Sequence, residues 1–349
     1  MGDDVWQCQT ATEQPLKFTV FVRDFFICKR KSILIRLGNG SSWKSLHYKM
    51  AATRRIRIVC ISDTHNDDLT GHVPNGDVLV HAGDMTDDGT AEELEKALGW
   101  IRNLPHKLKV IIPGEKFFPT IYITINLISD YLPAGNHDLG LDPSHKTYNP
   151  TIHALFSSAS VRADGVVFLD QSQPTFLHDD LLSIYANPCQ PDFLKSNYAF
   201  TYLPYPSPEA TAAWASAPGT SQGPLDLWLS HGAPRGRLDQ IHIAGLMGCE
   251  AQRKKVAAAR PLVCVFGHYH CSYGVEKVIW RDTDPLDGES DEVKESLNLT
   301  NDGPYDFTNL KPGKETVFIN AAWMTMEKGK VEKRNKPVVI DLEYSSLSK

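Results

Sequence analysis

Five short motifs rich in Asp, Asn and His, each placed after an apolar run, constrain this chain of 349 residues more than any other feature. Short apolar runs rich in β-branched residues predict buried strands, so the polar motifs lie where strands turn into loops. Glycines in four of the motifs allow the sharp turn that such a junction needs. In chain order the motifs are Asp63-Thr64-His65, Gly83-Asp84, Gly135-Asn136-His137-Asp138, His231-Gly232 and Gly267-His268-Tyr269-His270.

Strand-like and helix-like patterns alternate along the chain after residue 54. Strands are predicted at 56–62, 77–82, 108–112, 166–169, 182–185, 225–230, 262–266, 316–319 and 338–342. Helices are predicted over 90–103, with Thr90 as the N-cap, and near 208–215 and 249–259. The alternation predicts a layered α/β architecture, in which functional loops gather at the carboxyl ends of the strands.

The five motifs offer carboxylate, amide and imidazole ligands. This mixture suits Mn, Fe or Zn better than an all-oxygen Mg or Ca site. A shared carboxylate can hold two such ions roughly 3.5–4 Å apart, the spacing used for in-line displacement at phosphorus. Any one motif is weak, because Asp-x-His and Gly-Asp arise by chance and a lone His after a strand is commonly a hydrogen-bonded loop residue. Five motifs in order, each after a strand-like run, favour a metal centre.

The ordered set resembles the calcineurin-like metallophosphoesterase superfamily, from residue 56 to about 325. The resemblance implies an α/β (α+β layered) fold, a β-sandwich flanked by α-helices in four layers, αββα, with metals at one edge. Tyr269 and Cys271 depart from the usual G-H-I-H-E-G-Y-G of one branch, which affects substrate shape rather than metal binding. Four segments resemble that branch, the small eukaryotic metallophosphoesterase-domain proteins: 231–239, 248–250, 266–274 and 317–323.

The resemblance also implies a role for each matched residue. The ligands of a first divalent cation would be Asp63, His65, Asp84 and His270. The ligands of a second would be the bridging Asp84 with Asn136, His231 and His268. A hydroxide bridging the two metals would be the nucleophile. His137 would act as general acid or stabilise charge at the leaving oxygen, and Asp87 matches a position that orients this His in relatives.

The predicted function is therefore hydrolysis of a small phosphate ester, a phosphodiester or a phosphomonoester. One alternative is a degenerate phosphoesterase used as a binding scaffold, whose hallmark would be a missing ligand. The other is a nuclease, which would favour a basic groove with stacking aromatics. The formal net charge of −6 gives a nuclease no support, so stable nucleic-acid binding is not expected.

The cysteines and the apolar runs of the sequence indicate in which cellular compartment the protein is expected. The seven cysteines are scattered and form no Cys-x-x-Cys pair, which is typical of reduced thiols in an intracellular protein. The acidic N-terminus is unlike a secretory signal. The longest apolar run, 117–134, is interrupted by Asn126, Ser129 and Asp130, so a cytoplasmic protein without a membrane span is expected.

Three segments stand apart from the metallophosphoesterase domain predicted at 55–345. Residues 1–54 are expected to be a poorly structured N-terminal extension, with Met50 as an alternative start. Residues 282–313 are polar and acidic and are expected to be a surface loop. Residues 115–135 separate Gly114 from Asn136, where relatives run directly from a strand into G-N-H-D.

We hypothesise that residues 115–135 are a retained intron. Their removal leaves KVIIPG-NHD, and the 21 codons correspond to 63 nucleotides. Gly114-Glu115 can be encoded GGT-GAG, which contains a splice donor, and Ala134-Gly135 can be encoded GCA-GGC, which contains an acceptor. The alternative is a lid loop beside the active site. Sequencing the mature transcript decides between them, since a dominant form that keeps all 63 nucleotides would overturn the intron.

Overall fold

The computed structural model describes residues 18–23, 30–37, 44–49, 53–114, 137–170, 173–177, 182–192, 199–219, 225–241, 245–281, 293–299, 303–327 and 330–345. The chain divides into two compact units. One comprises Met1–Arg54 with Ser345–Lys349, and the other comprises Arg55–Tyr344. The first unit holds an antiparallel sheet of three strands, β1 (Phe18–Arg23), β2 (Arg30–Leu37) and β3 (Lys44–Lys49). These three strands lie within the segment 1–54, whose sequence shows no clean period.

The second unit is built from strands and a few helices. Its strands up to residue 202 are β4 (Thr53–Ile61), β5 (Val78–His81), β6 (Leu108–Ile111), β7 (Val166–Phe168), β8 (Gln173–Leu177), β9 (Leu182–Asn187), β10 (Gln190–Pro191) and β11 (Thr201–Tyr202). The later strands are β12 (Leu227–Ser230), β13 (Gln240–Ile241), β14 (Gly245–Leu246), β15 (Val263–Phe266), β16 (Gly274–Trp280), β17 (Val293–Leu299), β18 (Tyr305–Phe307), β19 (Glu315–Asn320), β20 (Met324–Glu327), β21 (Lys330–Arg334) and β22 (Val338–Ser345). The helices are α1 (Ala91–Asn103), α2 (Pro150–Phe156), α3 (Ala159–Ala163), α4 (Pro208–Ala213) and α5 (Glu250–Ala259), with 3-10 turns at Leu139–Leu141 and His270–Ser272.

Two large sheets form the body of this unit. One has six strands in the order β18-β22-β4-β5-β6-β7, and the other has seven in the order β17-β16-β19-β15-β12-β9-β8. Strands β4 to β7 run parallel in the first sheet, as do β9, β12, β15 and β19 in the second. The carboxyl ends of neighbouring parallel strands therefore share one edge of each sheet.

Side-chain alternation places the two sheets face to face. In β4, Ile58 and Cys60 pack into a core shared with the second sheet, whereas Val59 and Ile61 face the opposite way. The outer face of the six-stranded sheet packs on α1, α2 and α3, and the outer face of the seven-stranded sheet packs on α4 and α5. The predicted sandwich of two sheets flanked by helices is confirmed.

Helix α1 shows how local sequence sets the element bounds. The Thr90 side chain accepts a hydrogen bond from the Glu93 backbone N–H, and the Thr90 backbone N–H donates to the Glu93 carboxylate, which is a capping box. The helix buries one stripe that includes Leu94, Leu98 and Ile101, as its period predicted. No helix in the described ranges is both long and apolar enough to cross a membrane.

The predicted surface loop 282–313 differs from the structure where the chain is described. Residues Val293–Leu299 form β17, which pairs antiparallel with β16, and Tyr305–Phe307 form β18, parallel to β22. Both strands lie at sheet edges, and β17 is largely exposed. Edge strands tolerate charged side chains on both faces, so the acidic composition concealed them.

Candidate metal centre

Four of the five motifs meet at the carboxyl edges of the two sheets. Asp63 and His65 follow β4, and Asp84 follows its neighbour β5. His231 follows β12, and His268 and His270 follow the adjacent β15. Parallel strands deliver their following loops to the same edge, and the face-to-face sheets bring the two edges together. The six side chains therefore form one cluster, although the sequence separates Asp63 from His270 by about two hundred residues.

A first group comprises Asp63, His65 and His270, whose ligand atoms all lie within 4.8 Å of one another. The Nε2 atom of His270 lies 2.9 Å from Asp63 Oδ1 and 3.3 Å from His65 Nε2. The backbone N–H of His268 donates to the Asp63 carboxylate at 3.0 Å, which fixes its orientation. One carboxylate and two imidazoles thus converge as metal ligands do.

A second group comprises Asp84, His231 and His268, all of them buried. The His231 Nε2 atom lies 3.3 Å from Asp84 Oδ2, and its Nδ1 lies 2.7 Å from the carbonyl oxygen of Ala82. Because a carbonyl can only accept, Nδ1 carries the hydrogen and donates it to Ala82. Nε2 can then present a lone pair to a cation in the neutral ring, the arrangement of most metal-bound histidines.

Asp84 lies between the two groups. Its Oδ2 atom is 3.3 Å from His231 Nε2 and 4.0 Å from His65 Nε2, so one carboxylate faces an imidazole of each group. Its Oδ1 atom is buried and has no hydrogen-bond partner among the residues that the structure describes. A buried carboxylate oxygen without a partner is costly, and a cation would remove that cost. The donor set therefore fits two divalent cations that share Asp84.

His137 and Asp87 adjoin the first group. The rings of His137 and His65 meet edge to face, with centroids 4.3 Å apart, and His137 is 6% exposed. The Oδ1 atom of Asp87 lies 3.5 Å from His65 Nδ1, and ligand atoms of Asp87, His65 and His137 all lie within 4.8 Å of one another. Asp87 thus contacts the predicted ligand His65 and also lies beside His137, which it was expected to orient. Asn136, the remaining predicted ligand, lies outside the described residues together with 115–135.

Burial and mutual charge shift the pKa values of the cluster. Burial raises the pKa of Asp84 above its ordinary value, more than the neighbouring His231 lowers it. Burial would also raise the pKa of Asp63, but His270, His231 and His65 hold it well below its usual range. Burial lowers the pKa of His231, yet Asp84 and Asp63 together raise it to about 10. In the metal-free protein, protonated imidazoles compensate the negative charge of the carboxylates. A bound cation would compensate that charge instead.

Four of the candidate ligands have strained backbone. Asp63, His65, Asp84 and His268 all have positive φ, between 44° and 66°, a region that costs side-chain-bearing residues of order 1–3 kcal/mol each. The adjacent glycines permit the close packing around them. A Cβ atom at Gly267 would lie 2.0 Å from Asp63 Oδ2, and one at Gly83 would lie 2.7 Å from His231 Nδ1. Gly83 and Gly267 are therefore required by these close contacts.

Several supporting residues were not singled out from the sequence. Asp138 is fully buried, and its carboxylate accepts hydrogen bonds from the backbone N–H groups of Met85, Thr86 and Gly114. It ties the loop after β5 to the loop after β6. Burial raises its pKa to about 6 despite these bonds. Its presence within the G-N-H-D motif was the signal available.

His81, at the end of β5, supports the same loops. Its Nδ1 atom accepts from the Gly83 N–H at 3.2 Å, so its Nε2 atom carries the hydrogen and donates to Thr64 Oγ1 at 3.0 Å. Burial lowers the pKa of His81 to about 3, which keeps the ring neutral. A neutral histidine therefore links the residue between Asp63 and His65 to the residue before Asp84. A histidine inside the apolar run VLVH was the one hint of this role.

A two-sheet sandwich that gathers carboxylates and imidazoles at the carboxyl ends of its parallel strands is the architecture of metal-dependent phosphoesterases. The profile of the family described as calcineurin-like phosphoesterase matches residues 56–272, most of the chain, and the chain belongs to this family. The prediction from the five motifs is confirmed at this level.

Individual relatives agree with the family and differ in length. The chain is 28% identical over 321 residues to "Probable rhamnogalacturonate lyase C" of Emericella nidulans. This alignment covers 85% of this chain and 25% of that protein. It is 29% identical over 227 residues to a UPF0046 protein of Caenorhabditis elegans, with 64% of this chain and 66% of that protein covered. It is 28% identical over 233 residues to the human metallophosphoesterase domain-containing protein 1, with 63% and 62% covered. The chain thus spans a quarter of the first relative and about two thirds of the others.

Proposed function

We propose that this protein hydrolyses a small phosphate ester with a dinuclear metal centre built from the two ligand groups. The observation that carries the proposal is the position of Asp84, whose Oδ2 atom lies 3.3 Å from an imidazole of the second group and 4.0 Å from one of the first. Two ligand groups that share a carboxylate give the paired arrangement that phosphoester hydrolysis uses.

The predicted ligands fall into two sets, one for each cation. Asp63, His65, Asp84 and His270 would hold one cation, and Asp84, His231, His268 and Asn136 the other. When bound, the two ions would activate a water molecule for attack on phosphorus and neutralise the phosphate oxygens. Carboxylate with imidazole ligands favours manganese, iron or zinc.

His137 is proposed to act on the leaving oxygen. Its ring meets the ring of the ligand His65 edge to face, so it stands beside the place where an ester would bind. There it would donate a proton to the departing alkoxide or stabilise its charge. Asp87, whose side chain is half exposed and reaches both His65 and His137, would hold the two rings in register.

The substrate class is a phosphodiester or a phosphomonoester of low molecular weight. The net charge of −6 argues against nucleic acid as the partner. The thiol pattern favours an intracellular site of action.

One experiment tests the proposal directly. The metal-free chain and the chain loaded with Mn²⁺ are assayed with an aryl phosphate and a bis-aryl phosphate, and bound manganese is counted by elemental analysis. We expect two ions per chain and metal-dependent hydrolysis of at least one ester. A chain that binds two ions and hydrolyses neither ester would instead indicate a binding scaffold.

A further inference from the structure

Asn320 is a fully buried polar residue outside the ligand set. It is the last residue of β19, within the segment 317–323. Its two neighbouring strands are β15, where Phe266 pairs with it, and β16, where Gly274 pairs with it. The loop between those two strands carries both His268 and His270. Asn320 therefore lies beneath the middle of that loop, with one end of the loop on each side.

The side-chain amide of Asn320 enters two ligand loops. Its Nδ2 atom donates to the carbonyl of Tyr269, the residue between the two histidines, at 2.9 Å. It also donates to the carbonyl of Leu238, in the loop that begins at His231, at 3.1 Å. Both acceptors are carbonyls, so the amide must point its nitrogen at them. Both of its hydrogens are thereby used, one for each loop.

The remaining oxygen extends the contact toward a third ligand loop. Asn320 Oδ1 accepts from the Ala322 N–H at 3.2 Å. Ala322 forms a parallel bridge with Ser62, and the Trp323 N–H donates to the Ser62 carbonyl at 2.8 Å. Ser62 directly precedes Asp63. One buried amide group thus connects three loops. The first carries His231, the second carries His268 and His270, and the third carries Asp63.

The connected loops contain residues that need support. His268 has a φ of 66° and Leu238 a φ of 47°, both in the left-handed region that side-chain-bearing residues avoid. Such conformations persist when surrounding contacts hold them. The Tyr269 carbonyl, fixed by Asn320, lies next to the first of these residues, and the Leu238 carbonyl belongs to the second.

We propose that Asn320 is a positioning residue of the metal centre, which sets the separation of His231 from His268 and thereby the affinity for the second cation. The inference rests on the proposed function, because it assumes that the buried group of Asp84, His231 and His268 binds a metal ion. Asn320 touches neither cation nor substrate in this scheme. It acts by holding two ligand loops at a fixed distance.

The chain offers a matched control in Asn335. This second buried asparagine also donates twice from Nδ2, to the carbonyl of Ala322 at 2.9 Å and to Thr325 Oγ1 at 3.1 Å. Its bonds reach neither the loop after His231 nor the loop of His268 and His270. Replacement of either residue by Asp keeps the shape and exchanges the donor for an acceptor, so both changes carry the same local chemistry.

The test titrates metal-free full-length chain with Mn²⁺ by calorimetry for the wild type, N320D and N335D, and records thermal midpoints beside each titration. We expect N320D to weaken one of the two binding events, that of the group of Asp84, His231 and His268, by about tenfold to a hundredfold, the range known for supporting partners of metal ligands. Activity of N320D should recover toward wild type at saturating Mn²⁺. N335D should lose thermal stability while both affinities stay within about threefold of wild type.

The outcomes separate this inference from the proposed function. A wild-type chain that binds no Mn²⁺ would overturn the proposed function itself. A wild type with two binding events and an N320D chain with the same two affinities would overturn the positioning role alone. If N320D does not fold, N320S decides in the same assay, because one short hydroxyl cannot bond both carbonyls. Failure of both variants to fold while N335D folds would make Asn320 a purely structural residue and reject the proposal.

Discussion

The two ligand groups of the centre differ in their exposure. In the first, the side chains of His65 and His270 are 9% and 16% exposed. In the second, those of Asp84 and His231 are 3% and 0% exposed. We therefore expect solvent and substrate to reach the centre from the side of His65 and His270, next to His137. The second group is enclosed by the protein, so its cation would be bound away from solvent.

The supports of the two groups differ in the same way. His231 donates to the backbone carbonyl of Ala82, inside the sheet edge, and Gly83 packs directly against its ring. His65 instead faces Asp87, a half-exposed carboxylate at 3.5 Å. Backbone partners are fixed by the fold, whereas an exposed side chain can move. We therefore expect the second group to be the more rigid and the first to be the more sensitive to single side-chain changes around it.

The largest effect should follow from Asp84→Asn, because this residue belongs to both groups. Loss of the shared carboxylate removes several kcal/mol of metal-assisted stabilisation, so we expect kcat/KM to fall by about a thousandfold or more. Steady-state assays with metal counting check it. Asp341→Asn is the control, since this buried carboxylate pairs with Arg57 near the start of β4, at the end of the strand opposite Asp63. Activity of D84N within tenfold of wild type would remove Asp84 from its bridging place.

His137→Ala separates chemistry from metal binding on the exposed side. Loss of a general acid costs about a hundredfold to ten-thousandfold, and we expect kcat to fall within that range while two ions remain bound. The histidine at 145, which contacts Thr147, provides a control substitution in the same stretch of chain. If H137A also loses an ion, His137 is a ligand and the boundary of the first group must be redrawn.

The buried group should show the stronger coupling to protons. The pKa of His231 is about 10 in the metal-free fold, above its ordinary 6.5. Its contribution to folding is therefore complete below about pH 6.5 and is lost as pH rises through 10. A cation needs the neutral ring, so binding at pH 7.5 should release about one proton, and affinity should rise about tenfold per pH unit.

The second group can be examined alone in His270→Ala, which lacks a ligand of the first. Calorimetry of Mn²⁺ binding in two buffers of different ionisation enthalpy measures the released protons. Binding without proton release would show that Asp84 and Asp63 do not protonate His231, and would contradict the charge balance described for the buried group.

The convergence of six of the predicted ligands could be foreseen from the sequence, because each of them follows an apolar run and parallel strands bring such positions to one edge. The capping box of α1 was equally readable, since Thr90 and Glu93 lie three residues apart. Helices α2 and α3 have seven and five residues, too few to display a helical period. Strand β16 was not predicted, although charged Glu276 lies between apolar Val275 and Val278. The strand follows directly on a ligand loop, whose motif was interpreted instead.

The supporting residues could not be predicted. Asn320 bonds a carbonyl that is 82 positions earlier in the chain, and Asp138 bonds backbone groups 24 to 53 positions away. Backbone acceptors carry no sequence signature, so nothing in the pattern identifies the partner. His81 appears as an ordinary interruption of an apolar strand until Gly83 and Thr64 fold around it.

Asp87→Asn tests the side-chain support of the first group, and we expect it to have the smallest effect of these substitutions. The amide keeps the shape but loses the charge that favours His65 as a strong ligand, so affinity for the first cation should fall by about tenfold. The second affinity should not change, because Asp87 touches no member of the buried group in the described residues. Metal titration of D87N against D88N, the neighbouring exposed carboxylate, measures both. Equal weakening of the two ions would mean that the groups are coupled through Asp84 more tightly than their different supports suggest.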